Sequence, residues 1–292
     1  NKQEPDLRQW LDLVALGTVC DMVPLSGPNR LFVKQGFARM AQTANTGLKT
    51  LIEVAGLKGP ITPYHAGFVL GPRINAVSRM ARSDLGASLL ATTDEEKAKE
   101  IAWHLHDCNE QRKAVQAEME REAILQIEQS GQQEAPFLFA SHQNWHSGLS
   151  GLVAGRLKEK YQKPACVVTY AKAESGEILA RGSGRSIPGV NMAAAIQDAQ
   201  KEDLIINGGG HAMAGGFTLY PEKEKDFKDF MAAHIQNQIG EGGFEPETMI
   251  DGILTVQGAV PDFTRRFHDL LSPFGQGFPE PLFMFQRIKI IS

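Results

Sequence analysis

The run Asn207-Gly208-Gly209-Gly210-His211-Ala212-Met213-Ala214-Gly215-Gly216 joins backbone freedom to one ionisable ring. Consecutive glycines can turn through positive φ and bring backbone N–H groups close to a ligand, so Gly208, Gly209 and Gly210 read as a loop built to hold an anion. His211 at its edge can donate to a phosphate oxygen as charge grows there, or exchange a proton with a leaving group. The same spelling also suits a surface turn with a solvated histidine. In Arg181-Gly182-Ser183-Gly184-Arg185-Ser186, glycines alternate with hydroxyl and guanidinium groups, so Ser183, Arg185 and Ser186 can wrap an anion or can line a solvated turn. Arg73, Asn75 and Arg79 offer two guanidinium forks and an amide from 71–80, suited to phosphate or to ordinary salt bridges. Asp21 lies between apolar neighbours, where a buried carboxylate needs a donor, a cation or a metal; it can equally cap a turn before Pro24. His146, in Asn144-Trp145-His146-Ser147-Gly148, stands between a strand and a helix N-terminus, a place for ligand contacts or for a structural ring.

The elements that position these groups follow from periodicity. A helix is predicted over 6–16, ending at Gly17, and further helices near 29–42 and 47–55. Thr93 and Glu96 have capping-box spacing, and from Asp94 to about Gln129 one helix is predicted, stopped by Gly131. It would span on the order of 50 Å and so could bridge two domains. Asn109 to Arg112 breaks its apolar stripe, as a solvated or interdomain face would. Beyond it, strands at 137–140, 165–170 and 178–182 alternate with helices at 150–161 and 191–199, which defines an α/β domain. A strand at 217–220 and a helix at 222–239 lead to a linker at 240–243. A β-type unit at 248–256 and a strand-like run at 287–291 follow.

The 292 residues leave room for about two domains. A net charge of −4 gives no global attraction to nucleic acid, so a polyanion would have to be held by a local arginine cluster. Cys20, Cys108 and Cys166 have neither zinc-knuckle nor disulfide spacing, which fits a reducing cytoplasm. No apolar run is long enough to span a membrane and no signal pattern opens the chain; Asn1 to Val14 reads like the middle of a domain.

Five motifs in order carry a resemblance: Gly17-Thr18-Val19-Cys20-Asp21-Met22-Val23-Pro24-Leu25, Gly71-Pro72-Arg73-Ile74-Asn75-Ala76, Trp145-His146-Ser147-Gly148, Gly182-Ser183-Gly184-Arg185-Ser186 and Gly208-Gly209-Gly210-His211. With the long helix between them, they resemble the RecJ family of single-stranded-DNA-specific exonucleases in the DHH/DHHA1 phosphoesterase superfamily. The resemblance implies an α/β architecture. Residues 1–92 would end a DHH catalytic domain, 93–131 form the connecting helix, 132–243 a DHHA1 domain with a mixed sheet, and 244–292 begin a β-barrel (OB-fold) module. It implies 5′→3′ removal of nucleotides from single-stranded DNA in repair and recombination, with Mn²⁺ or Mg²⁺ as cofactor. Asp21 matches a metal-ligand aspartate, and Arg73, Asn75 and Arg79 match the segment facing DNA phosphates. Ser183, Arg185 and Gly208 to His211 match the motifs that clamp the strand, with His211 a catalytic stabiliser. A single-strand-binding protein or a helicase is the partner class implied, with the protein itself a monomer.

Departures accompany the match. The family's Asp-rich and Asp-His-His motifs are not found in this sequence, so the metal site is incomplete and the chain alone is expected to be inactive. Cys20 and Gly184 replace the usual alanines, Val77-Ser78 replaces Ala-Gly, and Phe278 replaces asparagine. Two other readings stand beside this one: a phosphodiesterase of short oligonucleotides or cyclic dinucleotides, and a non-catalytic nucleic-acid-binding module.

Overall fold

A computed structural model describes residues 6–80, 84–240 and 247–289, without the side chains of 78–80. The chain divides into two compact units, 1–110 with 247–292, and 111–246.

The first unit is helical at its N-terminal side. A 3₁₀ turn, Leu7–Trp10, leads into α1, Leu11–Cys20, which runs through Gly17 rather than stopping there. A glycine inside a helix costs only about 1 kcal/mol, and the packing of α1 outweighs it. There follow α2 (Gly27–Met40), α3 (Thr46–Val54), α4 (Pro63–His65), a π-helical turn (Ala66–Leu70), α5 (Gly71–Met80) and α6 (Leu85–Ala91). The start of α3 is set by Asn45, whose Oδ1 accepts from the Leu48 N–H at 2.8 Å. Ala15, Leu16, Val33, Leu48, Leu70 and Leu105 meet in the core.

The same unit includes the C-terminal segment. There β6 (Gly252–Leu254) pairs in parallel with β7 (Phe283–Phe285), and α11 (Pro261–Leu271) lies between them in sequence. The strand run expected at 248–256 shrinks to three residues, and 287–289 are not strand; 290 and 291 lie outside the described residues. Sequence reading missed α11, although Pro261 at its first position and Phe263, Phe267 and Leu270 at three-and-four spacing signal it.

The long helix α7, Glu95–Gln129, crosses the division between the units. Its start is capped by Asp94 rather than by Thr93: Asp94 Oδ1 accepts from the N–H groups of Glu96 at 2.9 Å and Lys97 at 3.1 Å. Gly131, at φ 68°, stops it as expected. Asn109, in the break that reads as a solvated or interdomain face, is fully buried, which rules out the solvated alternative at that residue.

The second unit is an α/β domain. Its strands are β1 (Leu138–His142), β2 (Ala165–Lys172), β3 (Ile178–Arg185), β4 (Asn207–His211) and β5 (Ala214–Leu219), in the order β1-β2-β3-β5-β4. The first pair is parallel and the others antiparallel, so the sheet is mixed as expected. Alternation along the strands sends Ala165 and Val167 to one core with α8 (Ser150–Tyr161) and the end of α7, and Cys166 and Val168 to another. The second core holds α9 (Met192–Lys201) and α10 (Glu224–Ile239). The linker expected at 240–243 is described only at Gly240.

Candidate phosphate-binding face

The glycine run is not a loop. Gly208 to His211 belong to β4, the edge strand, and a two-residue turn at Ala212 and Met213 returns the chain as β5. The turn is anchored by the N–H groups of Ser186 and Met192, which donate to the carbonyls of Met213 and Ala212, both at 2.9 Å.

The glycines divide by face. A Cβ on Gly208 would stand 2.6 Å from Ile196 Cγ2, and one on Gly215 would stand 2.4 Å from Ile196 Cδ1. Those two let α9 lie close on the sheet. A Cβ on Gly209 would meet nothing within 4 Å, and one on Gly216 only the Gly182 carbonyl at 3.8 Å. Internal packing therefore does not demand glycine at 209 or 216. What bare backbone there provides is close approach for something outside the chain.

The same face carries the polar groups. Ser183 pairs with Gly216, which pairs with Gly209; Arg185 pairs with Ala214, which pairs with His211. Directly opposed residues share a face, so Ser183, Arg185 and His211 rim the bare strip. β3 continues through Arg185, so these groups stand on a rigid strand instead of the expected turn.

Around Ser183 and Arg185 the contacts are specific. Ser183 Oγ lies 2.9 Å from Ser150 Oγ, and the Ser150 hydroxyl lies 2.9 Å from the Ser147 carbonyl, to which it donates. Arg185 Nη1 donates to the Gly184 carbonyl at 2.8 Å, and its Nη2 sits 2.7 Å from where a Gly151 Cβ would be. The guanidinium thus rests on the first turn of α8, the positive end of that helix. A cation there suits an anion shared between the two.

Other expected contacts are placed differently. Ser186 is buried and its hydroxyl donates to the Val190 carbonyl at 2.7 Å, which shapes the turn before α9. His146 is half-buried and its Nδ1 accepts from the Gly148 N–H at 3.2 Å, so the neutral ring carries its proton on Nε2.

In the first unit, Arg73 is only 7% exposed. Its Nη1 donates to the Val69 carbonyl at 2.8 Å and its Nε to His106 Nδ1 at 3.3 Å. Burial draws its pKa down, while the Glu110 carboxylate acts the other way. Asn75 is exposed on the same helix, and Arg79 follows one turn on; the Arg79 side chain lies outside the described residues. Asp21, which reads either as a buried carboxylate or as a turn cap, is exposed at the end of α1, and the next residue, Met22, has φ 56°. Among the described residues, no group of three or more His, Cys, Asp or Glu stands together that could hold a metal ion.

Residues 134–237, within the second unit, match the family model of the DHHA1 domain. Along nearly its whole length the chain is similar to RecJ. It is 35% identical over 97% of its residues to the single-stranded-DNA-specific exonuclease RecJ of Salmonella typhimurium, and covers 49% of that protein. It is equally identical, over 96% of its residues, to RecJ of Escherichia coli. The solved structure of Thermus thermophilus RecJ in complex with Mn²⁺ superposes with a TM-score of 0.83 at 31% identity, covering 96% of this chain and 40% of that one. The resemblance read from the five motifs is borne out, and the chain spans about half the length of the curated relatives it matches.

Proposed function

We infer that this chain is part of a metal-dependent exonuclease that hydrolyses phosphodiester bonds of single-stranded DNA from the 5′ end, and that its second unit supplies a phosphate clamp. The observation that carries this reading is the bare strip at Gly209 and Gly216, rimmed on one sheet face by Ser183, Arg185 and His211. A chain of net charge −4 needs such a local cluster to hold a polyanion. The similarity to RecJ supplies the substrate class.

Within this reading, Arg185, His211 and those N–H groups of Gly208 to Gly210 that point away from β5 contact phosphate oxygens, and charge-assisted hydrogen bonds from His211 and Arg185 stabilise added negative charge. Asn75 and Arg79 are further phosphate contacts. Arg73, held by Val69 and His106, stiffens the helix that carries them, a change from the direct contact expected of it. Ser186 and His146 shape the two turns beside the clamp.

Mn²⁺ or Mg²⁺ is the cofactor in this reading, on the strength of RecJ structures solved with each ion. Asp21 is a single exposed carboxylate, and the described residues do not amount to a metal site, so no chemical step is assigned to an ion. The resemblance further supports the division at 1–92, 93–131, 132–243 and 244–292, with the last part the start of an OB-fold module. A monomer in the cytoplasm, working beside a single-strand-binding protein or a helicase, completes the proposal.

Fluorescence anisotropy with a 5′-phosphorylated oligothymidylate, in competition with an unlabelled duplex, tests the reading. The 292-residue chain is expected to bind the single strand and, with added Mn²⁺, to leave it undegraded. Equal affinity for duplex and single strand would sink the substrate assignment.

A further inference from the structure

Two adjacent residues at the start of α8 touch the two β3 side chains of the clamp. Ser150, 3% exposed, has its hydroxyl between the Ser147 carbonyl and Ser183 Oγ, at 2.9 Å from each. Gly151 leaves vacant the volume beside Arg185: its Cβ would stand 2.7 Å from Nη2, 3.4 Å from Cζ and 3.7 Å from Nη1.

The Ser150 contact fixes a hydrogen. A hydroxyl has one proton and two lone pairs. With the Ser150 proton on the Ser147 carbonyl, Ser183 donates its own proton to Ser150. For Ser183 to donate to a phosphate oxygen instead, Ser150 rotates its proton from the Ser147 carbonyl to Ser183 Oγ. Ser150 can serve Ser183 in both states, whereas an alkyl side chain at 150 serves neither.

The Gly151 contact fixes a plane. The guanidinium fork recognises phosphate through paired N–H groups in fixed geometry, so a displacement of its plane misaligns both bonds. A methyl group at 151 would meet the far end of a flexible side chain. The arginine would move and the fold would not.

We propose that Ser150 and Gly151 are positioning residues of the phosphate clamp, setting the Ser183 hydroxyl and the Arg185 guanidinium through the Ser150–Ser183 hydrogen bond and the vacancy at Gly151. The proposal rests on the clamp reading above and adds to it two residues that touch no ligand. Its clearest signature is a sign. Alanine favours a helix over glycine, so Gly151→Ala should leave the thermal midpoint unchanged or raise it, while affinity falls. A purely structural glycine would lose both together.

The experiment uses the 292-residue chain, wild type and as Gly151→Ala, Ser150→Ala and Ser150→Thr, with the Arg185→Ala and Ser183→Ala backgrounds. Three quantities are read: the thermal midpoint, the affinity for a 5′-phosphorylated oligothymidylate, and the Arg185 Nε–Hε NMR signal of the free chain, assigned by Arg185→Lys. Expected are about five- to tenfold weaker binding for Gly151→Ala, about threefold for Ser150→Ala, and recovery in Ser150→Thr. The effect of Gly151→Ala should vanish in Arg185→Ala, and that of Ser150→Ala in Ser183→Ala. The Arg185 signal should shift in Gly151→Ala without any DNA. An unmoved Arg185 signal, or losses that persist in full in those backgrounds, would overturn the proposal. If the wild type binds no single strand, the clamp reading fails, while the Arg185 signal still decides whether Gly151 seats the guanidinium.

Discussion

Arg185 and His211 stand in one row of the sheet of the second unit, with Ala214 between them as the register partner of both. Two strand spacings separate their backbones by about 10 Å, with a side chain no larger than a methyl in the gap. Two hydrogen-bond donors on a rigid sheet, across a floor of alanine and glycine, form a frame that an extended anionic strand can cross.

That frame predicts unequal losses. Arg185→Ala should weaken single-strand binding about tenfold or more and flatten the dependence of log affinity on log salt by about one phosphate contact. His211→Ala should weaken binding by a smaller factor, because a single ring N–H donates where Arg185 offers a paired fork. Anisotropy titrations over a salt series measure both; identical salt slopes for wild type and Arg185→Ala would rule out a phosphate contact at 185.

The two kinds of glycine should separate stability from binding. Gly208→Ala sets a methyl within 3 Å of Ile196 and Ile205, and is expected to cost about 1–3 kcal/mol of stability. Gly209→Ala meets nothing and should leave the melting curve in place while reducing affinity for the single strand. Calorimetry with the anisotropy assay resolves the pair, and a Gly209→Ala chain that binds like wild type would remove the reason for the bare strip.

Stability should fall at alkaline pH. Burial raises the Cys20 thiol from 9.0 to about 11, and raises Cys166 in the same direction. Tyr170 goes from 10.0 to about 12 through burial and through its hydroxyl donating to Glu224. Where the folded group keeps its proton and the unfolded one has lost it, unfolding releases protons and rising pH favours it. For Cys20 this window opens near pH 9 and closes near 11. The thermal midpoint should therefore decline from about pH 9 upward, and Cys20→Ala should lessen the decline. A midpoint flat to pH 11 would contradict these shifts.

The segment before β7 should depend on one arginine. Arg30 donates to the carbonyl of Pro273 at 3.0 Å and to that of Leu271, and its guanidinium lies 3.8 Å from the centre of the Phe278 ring. Arg30→Ala should open 271–278 to limited proteolysis, and Arg30→Lys should not restore protection, since an ammonium cannot match the planar fork. Mass spectrometry of the early fragments reads the outcome.

Much of the scaffold was legible from periodicity and end signals. The three-and-four stripe of α7 with Gly131 behind it, the extent of α8, and the strand–helix alternation of the second unit are local patterns that neighbours within a few residues settle. The five motifs likewise contain the residues of the proposed clamp, and they carry the resemblance to RecJ without any coordinates.

Tertiary structure decided where those residues stand and what they touch. A glycine run has no side chains to show a period of two, so β4 exists as a strand only because β5 pairs with it. Arg73 reads as a surface fork until α7 brings His106 to its Nε, and Asp21 reads as a buried carboxylate or a turn cap until the fold leaves it exposed at the end of α1. Ser150 and Ser183 are 33 residues apart, and no local pattern joins them. The sequence by itself determined which residues could hold an anion and which elements would carry them, because propensity and spacing act over a few residues. Which glycines face solvent, which hydroxyls are already bonded and which arginine is buried were decided by contacts between distant segments, and those form only when the sheet and its helices pack.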